Sequence, residues 1–261
     1  MKFVFDIDGT ICFKGKPVSK PLLIALENLT KQGHEVIFAS ARPIRDLLPV
    51  LHQRFHTYSM IGGNGSIISS QGNILSTVSF EEKTQEAMIA LLQKYHVSYL
   101  IDSDWDYAYT GPAAHPILNN LDPQRLAKKV ELGQLTSIVK MLLLTSDHME
   151  EVEKKLRKME VVVHVHGDEG VLDISPQGID KWTGLQQLGV AAGDYLAFGN
   201  DANDITMFQH AMYTVMIGDN PQLLPFASET LPLSERIEYD IAQRLEQLSK
   251  QYSSENDQDI H

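Results

Sequence analysis

The chain opens with an apolar run that ends in acid: Phe3-Val4-Phe5 leads straight into Asp6-Ile7-Asp8-Gly9-Thr10. The run reads as a buried strand, and chemistry in α/β proteins gathers at the carboxyl ends of such strands. Gly9 lets the chain turn away there, because it tolerates backbone angles other residues avoid. Residues i and i+2 of an extended segment point the same way, so Asp6 and Asp8 are expected to face one pocket. Two carboxylates so placed repel unless one is protonated or both share a cation. A hard cation with oxygen ligands, Mg²⁺, suits the second option. An aspartate beside it can attack phosphorus and form an acyl phosphate, and its neighbour can give and take the proton. The other reading is an acidic strand end made of ordinary turn formers. Five residues alone do not choose between the two.

Strand and helix signals alternate through the first third of the chain. Strands are expected at 2–6, 35–39 and 57–61, with helices at 19–32 and 43–54 between them. Ser19 fits an N-cap, Pro21 a first turn and Gly33 a helix stop. This β-α-β-α-β order predicts a parallel sheet with helices on its faces. The middle differs. Short strands at 66–80 are broken by the hairpin signal Gln71-Gly72-Asn73, residues 98–110 alternate in strand fashion, and helices are expected at 81–96, 123–132 and 147–159. Further strands are expected at 137–144, 161–166 and 171–174. That mixture predicts an α+β insert. The first pattern returns near residue 180, with helices at 181–188, 203–211 and 237–250 and strands at 195–198 and 213–217. The expected division is therefore a core from 1–80 and 180–252, an insert over 81–179, and a frayed polar tail at 253–261.

Net charge is −12, from 22 basic and 34 acidic residues. That argues against a nucleic-acid surface, which usually needs a basic patch, but not against a small anionic ligand in a locally positive pocket. Cys12 is the only cysteine, so no intrachain disulfide forms and a reducing, cytoplasmic setting is expected. The amino terminus reads as a core strand rather than a signal peptide. No apolar run reaches the ~18 residues of a membrane span.

Three more segments place polar groups where a strand meets a helix. Ser40, in Ala39-Ser40-Ala41-Arg42-Pro43, can offer its hydroxyl to a phosphate oxygen, or can be a plain helix cap. Lys181 opens a helix, where the dipole disfavours a cation, so it either pairs with carboxylates and a phosphate or is a solvated surface lysine. The loop Gly199-Asn200-Asp201-Ala202-Asn203-Asp204 crowds oxygen-bearing side chains suited to Mg²⁺. Its alternative is a capping loop.

Taken in order, Asp6-Ile7-Asp8-Gly9-Thr10, Ser40, Lys181 and the Asn200–Asp204 loop resemble the haloacid dehalogenase-like (HAD) phosphohydrolases. The match is to the Cof-type branch of subclass IIB and covers nearly the whole chain. The resemblance implies a Rossmann-like parallel-sheet α/β core with an inserted α+β cap. It makes Asp6 the nucleophile and Asp8 the general acid and base. Ser40 and Lys181 would hold the transferring phosphoryl group, with Gly9, Arg42, Asn64 and Asn203 around the phosphate and substrate. Mg²⁺ would sit among Asp6, Asp8, Asn200 or Asp201, and Asp204. The family loop usually carries Asp where this chain has Asn200. Either Asn200 ligates through its carbonyl oxygen with one charge fewer, or Asp201 swings in; the spacing to Asn203 and Asp204 favours Asn200.

The implied activity is a Mg²⁺-dependent phosphatase acting on a small phosphorylated metabolite, such as a sugar phosphate, with no nucleic-acid or membrane partner. A phosphomutase of the phosphomannomutase type shares the cap and nucleophile, and Asn200 leaves a non-catalytic phosphate-binding protein as a further alternative. His164 and His166 share a strand face but lack an evident third zinc ligand. Trp105, Tyr107 and Tyr109 read as packing residues, and Asp102, Asp104 and Asp106 as a solvated face.

Overall fold

The computed structural model describes residues 1–166 and 170–253. The expected tail beyond Ser253 and the side chain of His166 lie outside the described residues. In chain order the elements are β1 (Lys2–Asp6), α1 (Lys20–Lys31), β2 (Glu35–Ala39), α2 (Ile44–Leu47), β3 (Ser59–Gly62), β4 (Ile67–Ser70) and β5 (Asn73–Thr77). Then come α3 (Glu82–Lys94), β6 (Ser98–Asp102), β7 (Tyr107–Tyr109), β8 (Lys140–Thr145), α4 (Met149–Leu156), β9 (Val161–His166) and β10 (Val171–Pro176). The chain finishes with α5 (Lys181–Gln187), β11 (Tyr195–Gly199), α6 (Ile205–His210), β12 (Tyr213–Ile217), β13 (Glu229–Leu231) and α7 (Ile237–Ser253).

Eight strands form one sheet in the order β13-β12-β11-β1-β2-β3-β4-β5. Pairing is parallel from β13 through β3 and antiparallel for β3, β4 and β5. The alternation of β1 shows why it lies at the centre. Phe3 and Phe5 pack with Leu22 and Leu26 of α1 and Ile241 and Leu245 of α7. Val4 packs on the opposite face with Leu185 of α5 and Met207 of α6. A strand apolar on both faces needs helices on both sides. From β1 the chain builds outward through β2 and β3, then returns to build the other way through β11 and β12. That reversal makes the carboxyl end of β1 a topological switch point, where such sheets open a crevice.

The second sheet, β7-β6-β8-β10-β9, is antiparallel throughout and comes entirely from the middle of the chain. Its alternation sorts two faces. Ile101, Met141, Leu143, Leu172 and Ile174 pack under α3 and α4 with Met88, Leu92, Val152 and Leu156. The other parity, Leu100, Asp102, Lys140, Leu142, Val171 and Asp173, borders a cavity shared with the first sheet's Ala41–Pro43 segment.

Three expectations need correction. Residues 123–132 form no α-helix. Asp122 takes a positive φ of 42°, and its carboxylate accepts from Leu126 N at 2.6 Å and Ala127 N at 3.1 Å. Lys128 N donates to Asp106 Oδ1 and Val130 N to Tyr107 O. These side-chain and edge contacts take the donors a helix would need. The helix expected over 43–54 stops at Leu47, because Pro49 cannot supply the next N–H. The strand expected over 98–110 is a pair, β6 and β7, separated by a turn closed by Ser103 N donating to Asp106 O.

Candidate active site

Local sequence sets each polar side chain at the crevice. Asp6 ends β1 and is 5% exposed. Gly9, at φ 81°, turns the chain, and a β-carbon there would collide with the Asn200 amide. Asp180 caps α5, its carboxylate accepting from Thr183 N at 2.8 Å while its own N donates to Thr183 Oγ1 at 2.9 Å. Capping fixes the first residue of the helix, Lys181, whose side chain is fully buried. Lys181 Nζ donates to Asp6 Oδ1 and to Asp204 Oδ1, both at 2.6 Å. The solvated reading of Lys181 is thereby excluded in favour of carboxylate pairing.

The Asn200–Asp204 loop closes from the far side. Asp204 Oδ2 accepts from Asn200 N at 2.9 Å and from Asp201 N at 3.1 Å. Asp204 thus ties its own loop to Lys181. With its nitrogen inward, the Asn200 amide donates to Asp8 O at 2.9 Å, Asp6 Oδ2 at 3.0 Å and Thr10 Oγ1 at 3.1 Å. Thr10 Oγ1 in turn donates to Asp6 Oδ2 at 2.9 Å. Asp201 turns the other way: its carboxylate accepts from Ala202 N at 2.7 Å and Asn220 Nδ2 at 2.9 Å.

Asp8 stands apart from Asp6. Both its oxygens accept from Arg42, Nε at 2.6 Å and Nη2 at 2.5 Å, and its side chain is 44% exposed. Ser40 is buried, and its hydroxyl accepts from Arg42 N at 3.1 Å. The cap of α2 is Pro43, so Ser40 is not the helix cap its position allowed. Asn64, at φ 59°, accepts at Oδ1 from Asn203 Nδ2 at 3.1 Å.

Burial pushes the Asp6 carboxyl up to about 7, the Lys181 ammonium pulling against it and Asp204 adding to it. Burial disfavours charge on Lys181, yet Asp204 and Asp6 together outweigh it and hold its pKa above the ordinary lysine value. This pair of perturbed groups in a crevice makes it the candidate functional site.

Among the described residues no three His, Cys, Asp or Glu side chains are grouped to hold a metal ion. The oxygens that do converge are of mixed origin. Asp6 Oδ2 and the Asp8 carbonyl both lie within hydrogen-bond distance of one point, the Asn200 amide nitrogen. Half a turn of that amide presents its oxygen to the same point. An all-oxygen set of one carboxylate, one carbonyl and one amide fits a hard cation such as Mg²⁺, with less negative charge than a second aspartate would give.

Two ion pairs escape sequence reading. Arg45 of α2 is fully buried and pairs with Asp102 of β6. It also donates to Trp105 O at 2.7 Å and lies over the Tyr107 ring at 4.8 Å. Asp102, 1% exposed, is therefore part of a buried junction rather than a solvated face. Lys140 of β8 donates to Asp173 Oδ2 at 2.9 Å and to Ala41 O at 2.7 Å. The available signal was charge on one parity of β6, β8 and β10, since isolated charges in apolar strands need partners.

A parallel sheet with a strand-end carboxylate, a buried lysine and an acidic loop defines the α/β phosphoryl-transfer class. The family model for haloacid dehalogenase-like hydrolases matches residues 3–232, and the chain belongs to that family, as a Cof-type phosphatase. Its relatives include the HMP-PP phosphatase of Cronobacter sakazakii, 25% identical over 84% of this chain and 85% of that one. The phosphoglycolate phosphatase of Nitrosopumilus maritimus is 25% identical over 83% of each chain. Among solved structures, a HAD subclass IIB sugar phosphatase superposes with a TM-score of 0.75 at 18% identity, over 95% of this chain and 98% of that one. A haloacid dehalogenase-like hydrolase from Bacteroides thetaiotaomicron gives 0.78 at 20% identity over the same shares.

Proposed function

We propose that the protein hydrolyses a small phosphomonoester through an aspartyl-phosphate on Asp6, with residues 81–179 acting as a cap over the site. The observation that carries this reading is the meeting of Asp6, Lys181, Asp204 and Asn200 at the carboxyl end of β1. Asp6 attacks phosphorus, and the bond to the substrate alcohol breaks as Asp8 gives that oxygen its proton. Asp8 then takes a proton from water as the water attacks phosphorus, which frees phosphate and restores Asp6. Lys181 and Ser40 neutralise and orient the phosphoryl oxygens, the main demand of phosphoryl transfer.

Asp6, the Asp8 carbonyl and Asn200 would hold Mg²⁺, which supplies positive charge against the phosphoryl group. Asp204 acts on that site through the loop it ties, and Asp201 is turned away from it. Arg42 occupies both oxygens of Asp8, so it has to exchange Asp8 for the substrate's phosphate before Asp8 can face the leaving oxygen. Phosphatase names among the relatives support the reaction class. The lone cysteine supports a reducing, cytoplasmic setting. Among the described residues, no helix is long and apolar enough to cross a membrane.

The test is phosphate release from acetyl phosphate and a panel of phosphomonoesters, with Mg²⁺ and with EDTA. Release should need Mg²⁺, and Asp6→Asn should abolish it with the circular-dichroism spectrum and melting point preserved. An Asp6→Asn protein that still turns over refutes the nucleophile assignment. Release of almost no phosphate, with phosphate instead moving between positions of a sugar bisphosphate, would favour the mutase.

A further inference from the structure

A cavity of about 320 Å³ lies between Asp8 and Arg42 on one side and the second sheet on the other. Its walls divide sharply. Leu100, Leu142 and Val171 project from neighbouring strands β6, β8 and β10, and Ile117 and Leu121 close the end. The charged side chains on its border are already engaged with one another. Asp102 is held by Arg45, Asp46 by Arg45 and Asp122 N, Lys140 and Asp173 by each other, and Asp8 by Arg42. Lys140 also spends a donor on Ala41 O. Exposed Asn120 stands at the border and gives one amide handle.

We infer that this cavity receives the compact apolar ring of an aromatic or heteroaromatic phosphomonoester rather than a polyhydroxylated sugar. The inference rests on the phosphatase reading for the position of the phosphate, which at Asp6 directs the ester's body past Asp8 into the cavity. A sugar ring would bury several hydroxyls against aliphatic walls, and each buried hydroxyl without a partner lowers affinity. A flat ring instead exchanges water for Leu100, Leu142 and Val171 against one of its faces, as apolar ligand sites do. Drawing Lys140 or Asp102 out to meet a sugar hydroxyl would leave its present partner buried and unpaired.

Benzyl phosphate and glucose 6-phosphate make a matched pair. Both carry phosphate on a CH₂ attached to a six-membered ring; that ring is flat and unsubstituted in one, and puckered, oxygen-containing and hydroxylated in the other. Calorimetric binding to the Asp6→Asn protein, which keeps the cavity and cannot turn over, should favour benzyl phosphate by ~10-fold or more. Val171→Thr, which adds a hydroxyl at nearly constant volume, should narrow that ratio, as should Leu142→Asn if it folds. Equal or tighter binding of glucose 6-phosphate, or no binding of either, overturns the inference. The phosphatase reading is judged separately, by Mg²⁺-dependent phosphate release from acetyl phosphate in the unmutated protein, since that body is too small to need the cavity walls.

Discussion

Asp46 offers a decisive contest between burial and ion pairing. It is 5% exposed, its Oδ2 lies 3.2 Å from Arg45 Nη2, and its Oδ1 accepts from Asp122 N at 2.8 Å. Burial pushes its carboxyl from the ordinary 3.8 up to about 6, against the pull of Arg45 and with help from Asp102. The folded state therefore holds the Asp46 proton more tightly than the unfolded chain does. Stability must fall as pH rises between those two values. About 2 pKa units at ~1.36 kcal/mol each make a full loss of about 3 kcal/mol. Roughly 2 kcal/mol of it falls between pH 4.5 and 7.5, because unfolded chains are already mostly ionised at the lower limit. The amide introduced by Asp46→Asn cannot titrate and has nearly the shape of the protonated acid. Urea unfolding of the wild type and Asp46→Asn across that range should show the variant gaining about 2 kcal/mol relative to wild type as pH rises. A flat difference would mean that Arg45 cancels the cost of burial. A variant that loses ground with rising pH would mean that the ion pair wins, and either result refutes the reasoning.

Two further outcomes are expected. Asn200→Asp should tighten Mg²⁺ binding by ~10-fold through the added ligand charge, read as a lower Kd by calorimetry; an unchanged Kd would show that the cation does not meet residue 200. Gly65→Ala should destabilise by ~2 kcal/mol or more, because Gly65 sits at φ 118° and a β-carbon there runs into the Asp180 carbonyl. Since Asp180 seats Lys181, this variant should lose kcat in excess of its loss of stability, and a protein with normal turnover would break that link.

The carboxyl end of β1 was legible because its cues are local. The apolar run, Gly9 and the two aspartates all lie within ten residues of the amino terminus. The role of Lys181 was legible as an anomaly, a cation against a helix dipole. Spacing favoured Asn200 over Asp201, but the contact that turns Asp201 away, Asn220, lies outside the motif. Residues 123–132 carry helical composition, but Asp106 and Asp122 claim their backbone donors from outside the segment. In β6, β8 and β10 one parity is apolar and the other mixes apolar residues with single charges, so period-two reading finds strands without saying what the mixed face meets. Asp102, Lys140 and Asp173 mark that face, yet their meaning depends on Arg45 of α2 and Ala41 of the loop after β2, which lie far from them in sequence.

Charge explains why an asparagine suits position 200. Asp6, Asp204 and Lys181 form a buried group with one negative charge in excess when both carboxyls are ionised, and the Asp6 carboxyl is already raised to about 7. A third aspartate, at the half-buried position 200, would face Asp6 Oδ2 and the Asp8 carbonyl, where the amide nitrogen now donates. Without a cation it would add repulsion and remove the two N–H donors that serve these oxygens, a combination that buried carboxylates tolerate only by holding protons. On the proposed Mg²⁺ site, Asn200 would satisfy the same oxygens as the cation and would favour the metal-free fold at the expense of metal affinity. The two effects are coupled and have opposite signs. Asn200→Asp should lower the melting point in EDTA and raise it in saturating Mg²⁺, because a ligand stabilises in proportion to its binding to the folded state. If the melting point moves in the same direction in both conditions, the amide is not standing in for the cation.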